Sequence, residues 1–204
     1  AAAPKEKRAP LGLGIIGAGS SARGAHMPAY LALDGVRPVA VADQDQDRAQ
    51  AFAADFGFTQ HGRDYRELIA RDDVDIVSVA VPPVLHAEIT IAALEAGKHV
   101  LCEKPMAITA SDAQAMADAA RVSGRVLTID FQTRFGWSTQ TARRLMVSGE
   151  LGAPHYARAW YLRRAGLPTW GGFTSKAVSG GGALIDIGVH VIDHFDRSRT
   201  ETQH

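Results

Sequence analysis

The stretch Leu11-Gly-Leu-Gly-Ile-Ile-Gly-Ala-Gly-Ser-Ser-Ala22 joins a short apolar strand to a glycine and serine turn, residues 17–24, and a helical pattern follows at residues 26–33. In this context, the motif Gly-x-Gly-x-x-Ala is typical of a turn that binds a dinucleotide. The first glycine permits the tight turn, the second lets the backbone approach a pyrophosphate, and the small alanine allows the helix to pack on the strand. Free N–H groups at the helix N-terminus attract phosphate. The predicted phosphate-binding residues are Gly17, Gly19, Ser20, Ser21 and Ala22.

Strands and helices alternate on either side of this turn. Such alternation predicts an α/β protein with a parallel Rossmann sheet and right-handed crossovers, formed by residues 10–131. The predicted strands are Leu11–Ile16, Val36–Ala42, Val74–Val81, His99–Glu103 and Val126–Phe131. The predicted helices after the first are Asp47–Phe56, Tyr65–Ala70, Leu85–Ala96 and Asp112–Ser123.

The pattern changes after residue 131. An amphipathic helix is predicted at Thr139–Ser148, an alternating strand at His155–Arg164, and a second helix at Ala183–Phe195. These few elements bury too little surface to form a stable core of their own. We therefore expect residues 132–204 to form the first part of an α+β substrate and oligomerisation domain that is incomplete in this chain.

Composition narrows the class of protein. The formal net charge of the 204 residues is zero, so no global charge favours a nucleic-acid partner or an acidic membrane surface. The single cysteine, Cys102, excludes an internal disulfide, and no apolar run reaches the roughly 18 residues that span a membrane. We expect a cytoplasmic protein, or a periplasmic one if the alanine at residue 1 follows a cleaved signal.

Asp43 ends the second predicted strand, 21 residues after Ala22. An acidic side chain at that place binds the ribose hydroxyls of NAD and repels the 2′-phosphate of NADP. NAD is therefore favoured as the cofactor. Two alternatives stay open: Asp43 and Asp45 could cap the following helix, and the nearby Arg48 could admit NADP.

Two further constellations carry possible chemistry. Lys104 follows the strand that ends at Glu103, which places an ammonium at the edge of the sheet where ligands bind. Asp186 and His190 are four residues apart, on one face of a predicted helix with apolar neighbours. Histidine titrates near neutrality and suits proton transfer. The alternatives are a Lys104 paired with Glu103 and a weak ion pair on a helix surface.

These motifs occur in one order along the chain, and together they resemble the glucose–fructose oxidoreductase, inositol dehydrogenase and MocA family. The matching residues are Gly17–Ala22, Asp43, Val81-Pro82-Pro83 with His86, Glu103-Lys104-Pro105, Arg134-Phe135 and the segment Gly181–Asp193. The resemblance implies transfer of a hydride between NAD, or NADP, and a hydroxyl or carbonyl group of a sugar, polyol or cyclitol.

The resemblance also implies residue roles. His190 would be the acid/base, Lys104 its electrostatic partner and the ligand of the reacting oxygen, and Asp186 the residue that orients them. The positions that it maps to the cofactor wall and the nicotinamide are Val81, Pro82, His86, Glu103 and Arg134. Members of the family are longer and often form homo-oligomers through their second domain, so oligomerisation is expected for a full-length relative.

Two other functions compete with this interpretation. Asp186, His190 and His194 share a helix face and could hold zinc or iron, although we assign no metal. Alternatively, the chain could be a non-catalytic or inactive NAD(P)-binding protein. A sugar could stack on Tyr161 or Trp170, which could equally be core aromatics.

Overall fold

The computed structural model describes residues 9–152, 155–156, 158–162, 164–166, 172 and 174–200. Six parallel strands form one sheet in the order β3-β2-β1-β4-β5-β6. This order reverses direction between β1 and β4, as in a doubly wound Rossmann sheet, and it confirms the predicted α/β class. The strands are β1 (Leu11–Ile16), β2 (Val36–Ala42), β3 (Gln60–Gly62), β4 (Ile76–Val79), β5 (His99–Glu103) and β6 (Leu127–Asp130).

Helices cover the sheet. The Rossmann part contains α1 (Met27–Leu31), α2 (Gln46–Phe56), α3 (Tyr65–Ile69), α4 (His86–Glu95) and α5 (Ala110–Ser123), with a π-helical turn at Ala22–His26 and a 3₁₀ turn at Pro83–Leu85. Both ends of α2 confirm the signals in the sequence. Asp45 caps its N-terminus, and Gly57 ends it with a left-handed φ of 73°.

The core consists of two apolar clusters. Successive strand residues face opposite sides of a sheet, and accordingly Ile15 packs with Phe52 from α2 whereas Ile16 packs with Leu94 from α4. Burial on both sides explains the nearly continuous apolar sequence of β2 and β4. Strand β3 was not predicted because its three residues, Gln-His-Gly, carry no apolar signal.

The glycine turn is shorter than the predicted 17–24. Gly17 has a φ of +94°, and a Cβ there would lie 2.5 Å from the carbonyl oxygen of Ala80, so only glycine fits. The backbone is already helical at Ser20. This early start directs the helix N-terminus at the same edge of the sheet as the ends of β1 and β4.

The second part of the described chain is helical. It contains α6 (Trp137–Val147), α7 (Lys176–Ser179), a π-helical turn at Leu184–Gly188 and α8 (Val189–Thr200), with a 3₁₀ turn at Gln132–Phe135. The predicted strand His155–Arg164 is wrong, since none of its described residues is a strand. An alternating sequence becomes a strand only beside a partner, and none of the described strands pairs with these residues; Trp160 and Leu162 lie exposed. Trp170 lies outside the described residues.

None of the described helices combines the length and the apolar character that a membrane span requires.

Candidate active site

A cleft of about 1660 Å³ runs along the carboxyl ends of the strands. It is the place where open α/β sheets bind ligands. Most of the predicted site residues line it. They are Gly17, Gly19, Ser20, Ser21, Asp43, Val81, Pro82, Glu103, Lys104 and Asp186. The fold therefore brings together residues that lie as far as 169 positions apart in the sequence.

The glycine turn forms one wall of the cleft. A Cβ at Gly19 would meet no protein atom within 4 Å, so the backbone there is open to a ligand. Ala22 lies outside the lining because it is fully buried, packed with Leu13 and Met27 as a helix–strand contact requires. This is the packing role that the motif predicts for its last position, rather than contact with phosphate.

Asp43 is held in place by the glycine turn. Its Oδ2 accepts a hydrogen bond of 2.8 Å from the N–H of Ala18, and its Oδ1 accepts one of 2.9 Å from the N–H of Asp45. The cap of α2 is Asp45, whose side chain accepts from the N–H of Arg48. Of the two carboxylates, Asp43 is thus the one directed toward the turn. The guanidinium of Arg48 lies 3.3 Å from Asp43 and 3.0 Å from Asp45, so both charges are already engaged.

Lys104 faces the helix of the second part across the cleft. Its Nζ donates to Oδ1 of Asp186 at 2.7 Å and to the carbonyl oxygen of Asp186 at 2.9 Å. The side chains are only 16% and 20% exposed. The π-helical turn that contains Asp186 supplies both acceptors, and such turns are frequent at functional sites. The alternative in which the Lys104 side chain pairs with Glu103 is not observed.

His190 lies one turn beyond Asp186, with 8% of its surface exposed, and it does not line the cleft directly. Its Nδ1 is 3.2 Å from Oγ1 of Thr133, and Phe131 packs edge-on against its ring. Burial lowers the pKa of His190, and the positive charge of Lys104 lowers it further. Both effects favour the neutral imidazole over the charged one.

The structure places two other predicted residues away from the cleft. His86 is fully buried; its Nδ1 lies 2.7 Å from the Pro105 carbonyl oxygen and its Nε2 lies 2.9 Å from that of Val81. It thus supports two segments of the cleft wall from behind, and burial lowers its pKa. Arg134 instead pairs with Asp193, through both carboxylate oxygens, and lies over Phe131. Because a buried carboxylate needs a partner, this pair keeps the guanidinium from the cleft.

Sequence reasoning missed a buried polar cluster behind Glu103. His26, at the end of the π-helical turn, places Nδ1 2.7 Å from Oγ of Ser78 and Nε2 3.2 Å from Oε1 of Glu103. Asp130 lies 3.4 Å from the same Nε2. Acidic residues at the ends of two adjacent predicted strands were a signal for this cluster, but only the sheet order brings His26 to them.

The metal interpretation of Asp186, His190 and His194 gains no support. Within the described part of the chain, no group of ligand atoms close enough to share an ion includes His194. The Asp186 carboxylate instead accepts hydrogen bonds from an ammonium, which competes with a cation for the same oxygen.

Residues 11–131 match the oxidoreductase family model described as an NAD-binding Rossmann fold, GFO/IDH/MocA. Residues 139–196 match the model of the GFO/IDH/MocA C-terminal domain. The chain belongs to the GFO/IDH/MocA oxidoreductase family. The predicted resemblance is thereby confirmed.

Several GFO/IDH/MocA relatives are sugar enzymes by name. The D-glucoside 3-dehydrogenase of Escherichia coli (strain K12) is 44% identical over 184 residues, covering 90% of this chain and 52% of that protein. The levoglucosan dehydrogenase of Pseudarthrobacter phenanthrenivorans is 36% identical, covering 90% and 50%. The chain therefore spans about half the length of the curated relatives it matches.

Solved GFO/IDH/MocA structures share the fold. An oxidoreductase domain protein from Kribbella flavida superimposes with a TM-score of 0.81 at 34% identity, covering 94% of this chain and 53% of that one. A levoglucosan dehydrogenase in complex with NADH and L-sorbose gives a TM-score of 0.76 at 34% identity, covering 90% and 51%. A 3-ketoreductase from Actinomadura kijaniata in complex with NADP and TDP-benzene gives 0.76 at 32% identity, covering 90% and 55%.

Proposed function

We propose that this protein is an NAD(P)-dependent oxidoreductase that transfers a hydride between the nicotinamide and a hydroxyl or carbonyl group of a sugar, polyol or cyclitol. The observation that carries the proposal is the contact between Lys104 and Asp186, in the same cleft as the glycine turn. A nucleotide-binding turn alone supports only binding. A desolvated ammonium with an ordered carboxylate beside it supports chemistry on an oxygen atom.

The cleft has the features that a nicotinamide dinucleotide needs. The open space at Gly19 admits a pyrophosphate, and the N-terminus of the helix that starts at Ser20 supplies N–H groups to it. The carboxylate of Asp43, which is directed toward the turn, would accept from the ribose hydroxyls and so favours NAD, while Arg48 leaves NADP as a second possibility. When bound, such a cofactor supplies or accepts the hydride.

The protein's own residues would move the proton. In the oxidising direction, we assign His190 to take the proton of the substrate hydroxyl, in keeping with a pKa lowered by burial. Because the ring lies outside the cleft lining, the proton would reach it through one bridging water. The ammonium of Lys104 would stabilise the charge that develops on the oxygen, and Asp186 would hold that ammonium in place. In the reducing direction, the same imidazole returns the proton to the carbonyl oxygen.

A carbohydrate substrate is supported by the relatives, which include dehydrogenases named for D-glucosides, levoglucosan and inositol. The lining of the cleft fits this class. Tyr161 lines the cleft, together with the hydroxyl side chains of Thr174 and Ser179. Aromatic and hydroxyl groups together suit a ring that has one apolar face and many hydroxyls.

The experiment is a binding and turnover assay of the purified chain. NADH and NADPH fluorescence titrations test cofactor binding, and NADH absorbance with methyl glucosides, levoglucosan and myo-inositol tests turnover. We expect NADH to bind and Lys104→Met to retain this binding while abolishing turnover. The alternative function, a non-catalytic NAD(P)-binding protein, predicts tight NADH binding and no turnover with any substrate of the panel. Failure of both cofactors to bind would refute the proposal.

A cytoplasmic location and a homo-oligomeric full-length protein are proposed from the kind of enzyme, and size-exclusion chromatography with light scattering measures the latter. The division into a cofactor-binding part, residues 10–131, and a substrate part, residues 132–204, stays a prediction that limited proteolysis can test.

A further inference from the structure

The polar cluster behind Glu103 joins two ends of the proposed active site. His26 ends the π-helical turn that begins just after the glycine loop, and Glu103 immediately precedes Lys104. His26 is 3% exposed, so water cannot satisfy its ring nitrogens. The residues that face the imidazole are therefore its hydrogen-bond partners.

Those partners occupy three different strands. Ser78 lies on β4 against Nδ1, and Glu103 on β5 and Asp130 on β6 lie against Nε2. The imidazole thus bridges the helix of the glycine loop to the carboxyl ends of the strands that carry the proposed chemistry. A hydrogen bond to a charged carboxylate is among the stronger contacts in a protein.

Glu103 connects His26 to the backbone of Lys104. While Oε1 faces His26, Oε2 accepts a 3.1 Å hydrogen bond from the backbone N–H of Lys104. The interaction with His26 also lowers the pKa of Glu103 against the opposing effect of burial, which keeps the carboxylate charged as an acceptor. This hydrogen bond holds the backbone of Lys104 in place, and the position of the backbone determines where the Lys104 side chain can reach Asp186.

We propose that His26 is a positioning residue: through Glu103, it holds Lys104 at the orientation in which its ammonium meets Asp186 and a substrate oxygen. The inference rests on the proposed function, since it assumes that Lys104 acts on substrate. The Ser78–His26–carboxylate sequence is not a nucleophilic triad, because Ser78 is fully buried inside the sheet. Nor does the cluster need a metal, since each ring nitrogen already has a hydrogen-bond partner.

The test compares two amides at position 26. In His26→Gln, the amide nitrogen reaches the place of Nε2 and can still donate to Glu103. In His26→Asn, the shorter side chain places its amide near Nδ1, so it keeps Ser78 but loses both carboxylates. We expect His26→Asn to lower kcat with NAD and a methyl glucoside roughly tenfold to a hundredfold at unchanged KM for NAD, and His26→Gln to restore most of it.

A second readout does not depend on turnover. The chain has five lysines, so ¹³Cε-lysine labelling gives few signals, and Lys104→Gln identifies the one from Lys104. In the wild type and in His26→Gln, we expect separate shifts for the two Hε protons of an immobilised Lys104; in His26→Asn they should merge. Equal kcat and an unchanged Lys104 signal in His26→Asn would overturn the inference. A wild type that binds no cofactor would instead refute the proposed function, and the NMR comparison would still decide the role of His26.

Discussion

The pair formed by Lys104 and Asp186 gives the most direct test of the site, because its energy can be measured without a substrate. Two unit charges about 4 Å apart interact by roughly 4 kcal/mol at an effective dielectric constant of 20. The observed atoms are closer, 2.7 Å, and about four-fifths of each side chain is buried. Desolvation offsets part of this attraction, and a hydrogen bond between charged groups contributes about 1.5–3 kcal/mol net.

A double-mutant cycle isolates that value. Lys104→Met removes the charge with little change in volume, and Asp186→Ala removes the opposite charge and the Oδ1 acceptor while leaving the second acceptor, its backbone carbonyl, in place. We expect a coupling energy of about 1.5–3 kcal/mol from urea unfolding of the four proteins. The cycle measures only the side-chain pair, since the backbone contact of Lys104 is lost in both Met-containing proteins.

The chain supplies a control pair. Arg66 and Glu88 are 3.3 Å apart but 65% and 58% exposed, so the same cycle there should give less than about 1 kcal/mol. A coupling at Lys104 and Asp186 no larger than at this surface pair would refute the reasoning. It would mean that the ammonium and the carboxylate do not meet in solution, and that the two parts of the cleft are not closed on one another.

Three further predictions concern the turn, the cofactor and the base. Gly17→Ala should lower the free energy of unfolding in urea by more than about 2 kcal/mol, because the alanine would combine a left-handed φ with a clash against the Ala80 carbonyl. Gly57→Ala is the control, because Gly57 also has a left-handed φ but open space around it, and it should cost only about 1 kcal/mol. Equal losses of stability in the two variants would contradict the predicted clash. Asp43→Asn should raise the affinity for NADPH relative to NADH at least about tenfold in fluorescence titrations, because it removes the charge that repels a 2′-phosphate; an unchanged ratio would place the ribose elsewhere. If His190 is the base, the acidic limb of kcat/KM for oxidation should have its midpoint below the usual pKa of about 6.5, since a lowered pKa keeps the imidazole neutral to lower pH, and His190→Gln should remove that limb.

The Rossmann part was predictable because local signals and tertiary structure agree there. The apolar runs of β1 and β2 were long enough to identify, and Gly17 and Gly57 marked real left-handed turns. The element that escaped prediction, β3, depends on a neighbour rather than on its own residues: its backbone pairs with Ala40–Ala42 of β2. A strand of three polar residues has no periodicity to detect.

The second part was less predictable for the same physical reason. The segment 155–164 alternates in sequence, but alternation stabilises a strand only when a partner satisfies its backbone and covers its apolar face. The helices in this part did not require such a partner, because their hydrogen bonds are internal. Two of them, α6 and α8, were accordingly predicted near their observed places, whereas the four-residue α7 was not predicted.

The sequence likewise predicted one part of the candidate site and not the other. Its residue types, its glycine turn and the placement of Asp43 and Lys104 at strand ends follow from the sequence, because parallel strands present their carboxyl ends at one edge. The sequence also placed Asp186 and His190 on one helix, since side chains four residues apart share a face.

Only the tertiary structure decided which of these groups meet. It joined Lys104 to Asp186, directed Arg134 to Asp193, withdrew His86 behind the cleft wall and brought His26 to Glu103. Such pairings join residues 19 to 82 positions apart, and they depend on strand order and on which buried charge finds a partner. Local sequence determines which helix or strand forms and which charged side chains it carries. Burial and the contacts between elements determine which partner each of those charges pairs with.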